Sequence, residues 1–287
     1  MATVLTTTTT IQLGATGPTL NSIDGNGVIW RVNQDGFTGW GEPGTTLAPQ
    51  QNIRASNTWS GDAFTKGRDM TISGTITAPT PALLNAAIDS LINAVTASGF
   101  TLTVTESGVA ATSVVRRSGE TLTPKITNLM AAYSIAVHAD DARKFGTPLV
   151  GTTAQPVSSG GKTWPETWPE AWSATTISGT VTLINPGNRT GTVVLRIDGP
   201  CVAPQIVHQG TGAPVTFRSS YTVAAGNWLT INLETHQTLE NDQANRAQYI
   251  TAPGWSGFDP GVNTWALSAD VYNAATLLTV TATPARK

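Results

Sequence analysis

Charged residues are scarce in this sequence. Lys, Arg, Asp and Glu make up 12% of its 287 residues, about half of the roughly 25% usual for a soluble domain. With 39% apolar residues it is still not the charge-rich, hydrophobe-poor polymer that stays disordered. Polarity comes instead from Thr, Ser and Asn set among plentiful Gly and Pro, which suits many short strands and tight turns. A net charge of −2 and a pI near 5.9 supply no general attraction for a phosphate backbone, so sequence-specific nucleic-acid binding is not expected. Cysteine is nearly missing. Cys201 stands alone, cannot form an internal disulfide, and is expected as a reduced thiol in a core rather than as part of a framework built for oxidising export. No stretch approaches the roughly 18–20 apolar residues of a membrane span. The start, MATVLTTTTTIQLGATG, also lacks the basic opening and apolar run of a signal peptide. A chain made in the cytoplasm, soluble and without membrane insertion is the expectation, and the sequon Asn188-Arg189-Thr190 then has no secretory context.

Catalytic signatures are equally sparse. There is no G-x-S-x-G elbow, no P-loop, and no G-x-G-x-x-G that follows a strand and opens a helix. Asp24-Gly25 and Asp35-Gly36 lack the alternating ligands and closing Glu of an EF-hand. His138, His208 and His236 are the three histidines, and no two have the short spacing of common zinc motifs. Neither a metal nor a cofactor is expected. A carboxylate pair among Asp140, Asp141, Glu234, Glu240 and Asp242 stays open, because sequence gives no separations.

What the chain does contain is strand pattern. VIWRV (28–32) is bracketed by Asp24-Gly25, Asn26-Gly27 and Asp35-Gly36, as in hairpins. RDMTISGTIT sets Met70, Ile72 and Ile76 against Thr71, Ser73, Thr75 and Thr77, which predicts a half-buried strand ending at Pro79. One amphipathic helix follows, with Thr80 as N-cap, Pro81 at the first helical position, apolar residues at helical spacing from Leu83 to Val95, and Gly99 as the stop. FTLTVTE and SVVRR resume the strands. The pattern then breaks in a Gly/Trp/Pro-rich insert at about 151–174, where Pro165 and Pro169 argue against helix and for an extended or turn-rich loop. We place the domain boundary just before it, giving domains 1–145 and 146–287. In the second, TISGTVTLINP (176–186) nearly repeats TISGTITAPTP (71–81), and TVVLRIDGP, PQIVHQ, VTFRSSYTV, NWLTINLET and LLTVTATP succeed one another at β-sandwich spacing. The fold class expected is mainly β, in two sandwich-like domains.

Two features invite a functional reading. Of nine tryptophans, eight concentrate in segments that read as turns (Trp40, Trp59, the Trp164, Trp168, Trp172 cluster, then Trp228, Trp255 and Trp265). The cluster of three is a candidate interface or ligand contact, since an indole covers much apolar area at low entropic cost, with loop plugs as the structural alternative. YSIAVHADDARKFG (133–146) puts Tyr133, Ile135, Val137 and Ala139 on one strand face and His138 and Asp140 on the other, with Asp141 next door. This could be a His–Asp site or a strand running out into a turn. No third ligand lies near in the chain, which favours the strand.

In their order and spacing these stretches resemble distal tail proteins of long-tailed, siphovirus-like phages. GNGVIWRV, GFTGWGEP, RDMTISGTITAP leading into the helix, and YSIAVHADDARKFG are similar to the first domain. LINPGNRTGTVVLRIDGPCVAPQI, GNWLTINLETHQTLEND and APGWSGFDPGVNTWAL are similar to the C-terminal sandwich, especially of actinobacteriophage minor tail proteins. First domains of that family often end in Asp-Pro, a basic residue and an aromatic. Here Asp141-Ala142-Arg143-Lys144-Phe145 keeps all but the proline, so Asp141, Arg143, Lys144 and Phe145 form the candidate interdomain turn. The resemblance implies a non-enzymatic virion protein at the distal end of the tail. Its first domain would form a ring with copies of itself, usually six, and a galectin-like second domain would hang outside. The ring would join the tail tube protein to the tail hub protein of the baseplate, around the end of the tape measure protein and the DNA ejection channel. The N-terminal Thr run is expected to pair with a partner as an added strand. A tail-tube protein and a carbohydrate-binding module contacting host cell-wall glycan are the alternatives.

Overall fold

The computed structural model describes residues 9–158, 176–177, 179–271 and 273–287. They are mainly β, with one α-helix among them and every strand pair antiparallel. The chain divides into two compact units, one ending at Gly146 and the other spanning Thr147–Arg286.

The first unit is built on β1 (Thr9–Leu13), β2 (Ile29–Thr38), β3 (Arg68–Thr77), α1 (Pro81–Ala94), β4 (Phe100–Glu106), β5 (Val109–Arg117) and β6 (Met130–Ala139). One sheet runs from the short strand Thr19–Leu20 through β1 and β4 to β5. The other runs from Ser22–Ile23 through β2 and β3 to β6. β5 belongs to both, because Arg116 and Arg117 at its end pair with His138 and Val137 of β6. Strict alternation explains the inner layer. Met70, Ile72 and Ile76 of β3 are buried beside Tyr133, Ile135 and Val137 of β6, with Ile135 opposite Ile72 and Val137 opposite Met70. Tyr133 faces Gly74, whose missing side chain makes room for the ring: a Cβ there would lie 2.5 Å from the phenol oxygen. That hydroxyl donates to the Arg31 carbonyl at 3.0 Å.

Helix α1 begins as its sequence dictates. The Leu83 N–H donates to the Thr80 hydroxyl at 3.3 Å, and Pro81 opens the first turn. Leu84, Ile88 and Leu91 enter the same core, at about 1.5–3 kcal/mol for each side chain removed from water. Gly99, at φ 107°, turns the chain into β4.

The second unit contains β7 (Leu149–Ala154), β8 (Thr180–Asn185), β9 (Arg189–Asp198), β10 (Gln205–His208), β11 (Ala213–Phe217), β12 (Trp228–Asn232), β13 (Gln237–Glu240), β14 (Ile250–Pro253), β15 (Gly261–Ser268) and β16 (Leu277–Arg286). One sheet has the order β13-β12-β9-β16-β7 and the other β8-β15-β10-β11-β14. Leu195, Ile197, Leu229, Ile231 and Val280 of the first share a core with Ile206, Val215, Phe217, Trp265 and Leu267 of the second, the arrangement of a β-sandwich.

Four expectations need correction. Asp35-Gly36 is not a hairpin turn: it lies inside β2, where the register against β3 slips between Val32↔Gly74 and Phe37↔Ile72. A bulge there uses the same Gly that a turn would, since a Cβ on Gly36 would run into the Ser73 carbonyl. The insert expected from about residue 151 begins later, because Leu149–Ala154 is a full strand paired along β16. TISGTVTLINP is not one strand like its near-repeat. Thr176–Ile177 pairs with Val157–Ser158, and Gly179, at φ 64°, precedes β8. Trp228 and Trp265 are not turn residues: they lie on β12 and β15, Trp265 at 1% exposure, whereas Trp40, two residues beyond β2, is a buried loop plug.

Candidate functional site

Between β2 and β3 the chain leaves the body of the first unit as an arm. Thr45–Thr46 pairs with Phe64–Thr65, and Pro49–Gln51 pairs with Thr58–Ser60. At the tip the Asn52 N–H donates to the Asn57 carbonyl at 3.0 Å. No residue from Gly41 to Lys66 is buried. Ile53 is 99% exposed, Trp59 71%, Phe64 70% and Leu47 54%. A two-stranded hairpin without a third strand or a packed face is at best marginally stable in water, and four exposed large apolar side chains on it make the arm a candidate interaction surface. Sequence reasoning placed no function here. The available signal was Trp59, Phe64, Ile53 and Leu47 in a stretch too irregular to assign to either face of a strand.

The root of the arm is closely packed. Gly39 takes φ 83° and leaves no space for a side chain against the Asp69 carbonyl. Arg68, the first residue of β3, is 1% exposed. Two of its three guanidinium nitrogens donate to main-chain carbonyls. Nη1 donates to Trp40 at 3.0 Å, to Gly41, and more weakly to Gly39 at 3.4 Å. Nε donates to Ala142 at 2.6 Å. Nη2 is buried with no partner. Burial lowers the Arg68 pKa, and the nearby Asp141 charge partly offsets this. Arg68 holds the buried parity of Met70, Ile72 and Ile76, so a charge in a core register was the sequence signal for it.

Two of the candidate turn residues reach this root, Asp141 through its charge on Arg68 and Lys144 through Trp40. Asp141 accepts from the Arg143 N–H at 2.8 Å, and its carboxylate pairs with the Arg143 guanidinium at 2.6 Å. The Arg143 guanidinium also lies 5.0 Å from the Phe145 ring centre, and the Lys144 ammonium 5.0 Å from that of Trp40. The turn is shorter than Asp141 to Phe145, because Lys144–Phe145 is itself a short strand meeting Thr112 of β5. Beside it, His138 Nδ1 lies 2.8 Å from Asp69 and Nε2 3.4 Å from Asp140, which also pairs with Arg116. The His–Asp proximity anticipated from YSIAVHADDARKFG is therefore present. It is an exposed cross-strand charge cluster next to the arm root.

Other candidates lie apart. Trp164, Trp168 and Trp172 fall outside the described residues, as does most of the N-terminal Thr run. His208 is buried between Thr211 at 2.9 Å and Asn263 at 3.1 Å, and its ring packs on Trp265. His236 stacks on Trp255, with ring centres 4.5 Å apart. Glu240 pairs with Arg246 at 2.6 Å, and Asp242 accepts from Thr230 at 2.8 Å and the Trp228 indole at 3.1 Å. Those two hydrogen bonds hold the Asp242 carboxyl below the ordinary aspartate range. Burial pushes the Cys201 thiol up to about 11. Among the described residues no three His, Cys, Asp or Glu side chains converge as metal ligands. A cleft of about 390 Å³ in the first unit, between α1 and the 16–28 loop, is lined mainly by small polar and apolar groups such as Thr16, Thr19, Asn26, Leu83 and Ser90, with Asp24 its one ionisable side chain.

No protein-family model matches the chain, and no curated protein does. Solved structures do match. The SPP1 Dit (gp 19.1) protein, described as a paradigm of the hub adsorption apparatus in phages infecting Gram-positive hosts, aligns with a TM-score of 0.61 at 11% identity. The alignment covers 96% of this chain and 98% of that one. A chain of the phage P2 baseplate in its activated conformation with Ca aligns with a TM-score of 0.54 at 10% identity, covering 96% and 97%. Its counterpart in the baseplate with Sr gives 0.51 at 9%, covering 95% and 97%. At such identities the likeness is one of fold, and it extends over both units.

Proposed function

We propose that this chain is a structural component of the tail tip of a long-tailed phage, a distal tail protein of the kind found as minor tail proteins in actinobacteriophages. The observation that carries the reading is the arm. Residues 41–66 expose four large apolar side chains on a hairpin with no core of its own, and an alignment over 96% of the chain gives it the fold of a phage hub protein and of a phage baseplate chain. In this reading the arm of each first unit seats on the next copy. The contact is heterologous and closes by rotation into a ring, which we take to be of six. The ring joins the tail tube protein to the tail hub protein, encircles the end of the tape measure protein and leaves a channel for DNA. The low charge fits a channel wall, which must let DNA pass without holding it. The second unit is a galectin-like sandwich displayed outside the ring, and the protein has no enzymatic role.

Sedimentation of the purified chain tests this. A closed species whose mass is a fixed multiple of 29.9 kDa is the expected result. A monomer at every concentration that binds cell-wall glycan would replace the reading with a carbohydrate-binding module. Open stacks of rings would favour a tail-tube protein.

A further inference from the structure

Arg68 touches two segments that are far apart in sequence. Through Nη1 it holds the carbonyls of Trp40 and Gly41, where the arm leaves, and through Nε the carbonyl of Ala142, in the turn by which the chain leaves the first unit. The arm returns into Arg68 itself, since β3 begins there. One planar group therefore ties both arm strands to the exit turn. Lys144 over the Trp40 ring makes a second link between the same segments. Both links are made to uncharged groups, main-chain carbonyls and an indole face, and a buried guanidinium aimed at carbonyls would be a costly way merely to fill space. We infer that Arg68 couples the arm to the exit turn, so that fixing the arm on a neighbouring copy also fixes the direction in which the chain leaves the first unit. The coupling rests on the reading that the arm seats on a second copy. Its logic is geometric: seating holds the 39–41 carbonyls still, the rigid guanidinium fork transmits that restraint to Ala142, and the turn loses its alternative conformations. A lysine at 68 has a single nitrogen and cannot reach both sides with fixed angles.

Hydrogen–deuterium exchange of the full chain, dilute and concentrated, tests this with Arg68→Lys. In the dilute monomer the variant is expected to exchange about fivefold or more faster at both 37–39, where β2 runs into the arm, and 143–145, while α1 and β4 stay as in the wild type. Acceleration of only one segment, or of neither, overturns the coupling whether or not the chain assembles. In concentrated wild type, arm and exit turn should both gain protection. In concentrated Arg68→Lys, the arm should gain it and the turn should not. Equal protection of the turn in both chains also overturns the proposal, whereas an arm unprotected at every concentration defeats the seating reading alone. If the lysine variant exchanges globally, Arg68→Gln takes its place, because an uncharged amide carries no buried charge.

Discussion

Replacing both aromatic residues of the arm, Trp59→Ser with Phe64→Ser, separates self-association from folding. Together Leu47, Ile53, Trp59 and Phe64 expose the equivalent of about three complete apolar side chains, so covering them is worth about 4–9 kcal/mol at about 1.5–3 kcal/mol each. Loss of translational freedom and ordering of side chains consume much of such a gain, so the difference between variants is the dependable quantity. Trp59 and Phe64 supply nearly half of it. Their removal should weaken each contact between copies by about 2–4 kcal/mol, or roughly 30- to 1,000-fold in dissociation constant. Both side chains are exposed at 71% and 70%, so monomer stability should change by no more than about 0.5 kcal/mol. Sedimentation velocity over a concentration series reads the first quantity, and urea unfolding of the dilute chain reads the second. A double variant that assembles at wild-type concentrations would refute the assignment of the interface to the arm. One that unfolds as readily as it dissociates would show that the arm belongs to the core.

Three further outcomes follow from particular contacts. Gly74→Ala should cost about 1–3 kcal/mol or more in unfolding free energy, because the new Cβ collides with the Tyr133 phenol and the Arg31 carbonyl, and an unchanged denaturation midpoint would contradict that approach. His138→Ala should leave assembly intact and change stability by less than about 1 kcal/mol, as expected for an exposed ion-pair cluster. Loss of a bound metal from the purified variant would reverse this and make the cluster a site. The Asp242 carboxyl is held low by the Thr230 hydroxyl and the Trp228 indole, so its contribution to stability is present above the ordinary aspartate pKa of about 3.9 and disappears as pH falls through the lowered folded value. The Trp228 indole proton resonance should therefore titrate below about pH 3.9, and Trp228→Phe should move the Asp242 midpoint upward.

Regular strands and the helix were readable from residue pattern because burial imposes a period of two on β3 and β6, and the unpaired N–H groups of its first turn call for a cap on α1. Where the reading failed, the same residue types serve two geometries. Asp-Gly marks a turn or a bulge depending on whether the partner strand continues, and at Gly36 it continues. β16 runs through Pro284 to Arg286 because its register with β9 slips between Arg189↔Ala285 and Thr192↔Thr283, so the missing proline N–H falls at an irregularity of the ladder. Trp265 could not be told from an exposed indole, since its neighbours Asn263 and Thr264 are polar in sequence although Asn263 is buried. The arm eluded sequence because it has no inward face, and periodicity registers only elements that have one. Asp141, Arg143, Lys144 and Phe145 were found through resemblance, but the bond that ties their turn to the arm root, from the Arg68 guanidinium to the Ala142 carbonyl, spans more than seventy residues and no local pattern encodes it.

Electron microscopy of intact phage particles carrying this chain, decorated with an antibody raised against the Thr147–Arg286 unit, locates it in the virion. The expected image has label only at the tail end farthest from the capsid, in several copies arranged around the tail axis. Label spread along the tail tube, label on the capsid, or particles complete without the chain would contradict a place at the tail tip.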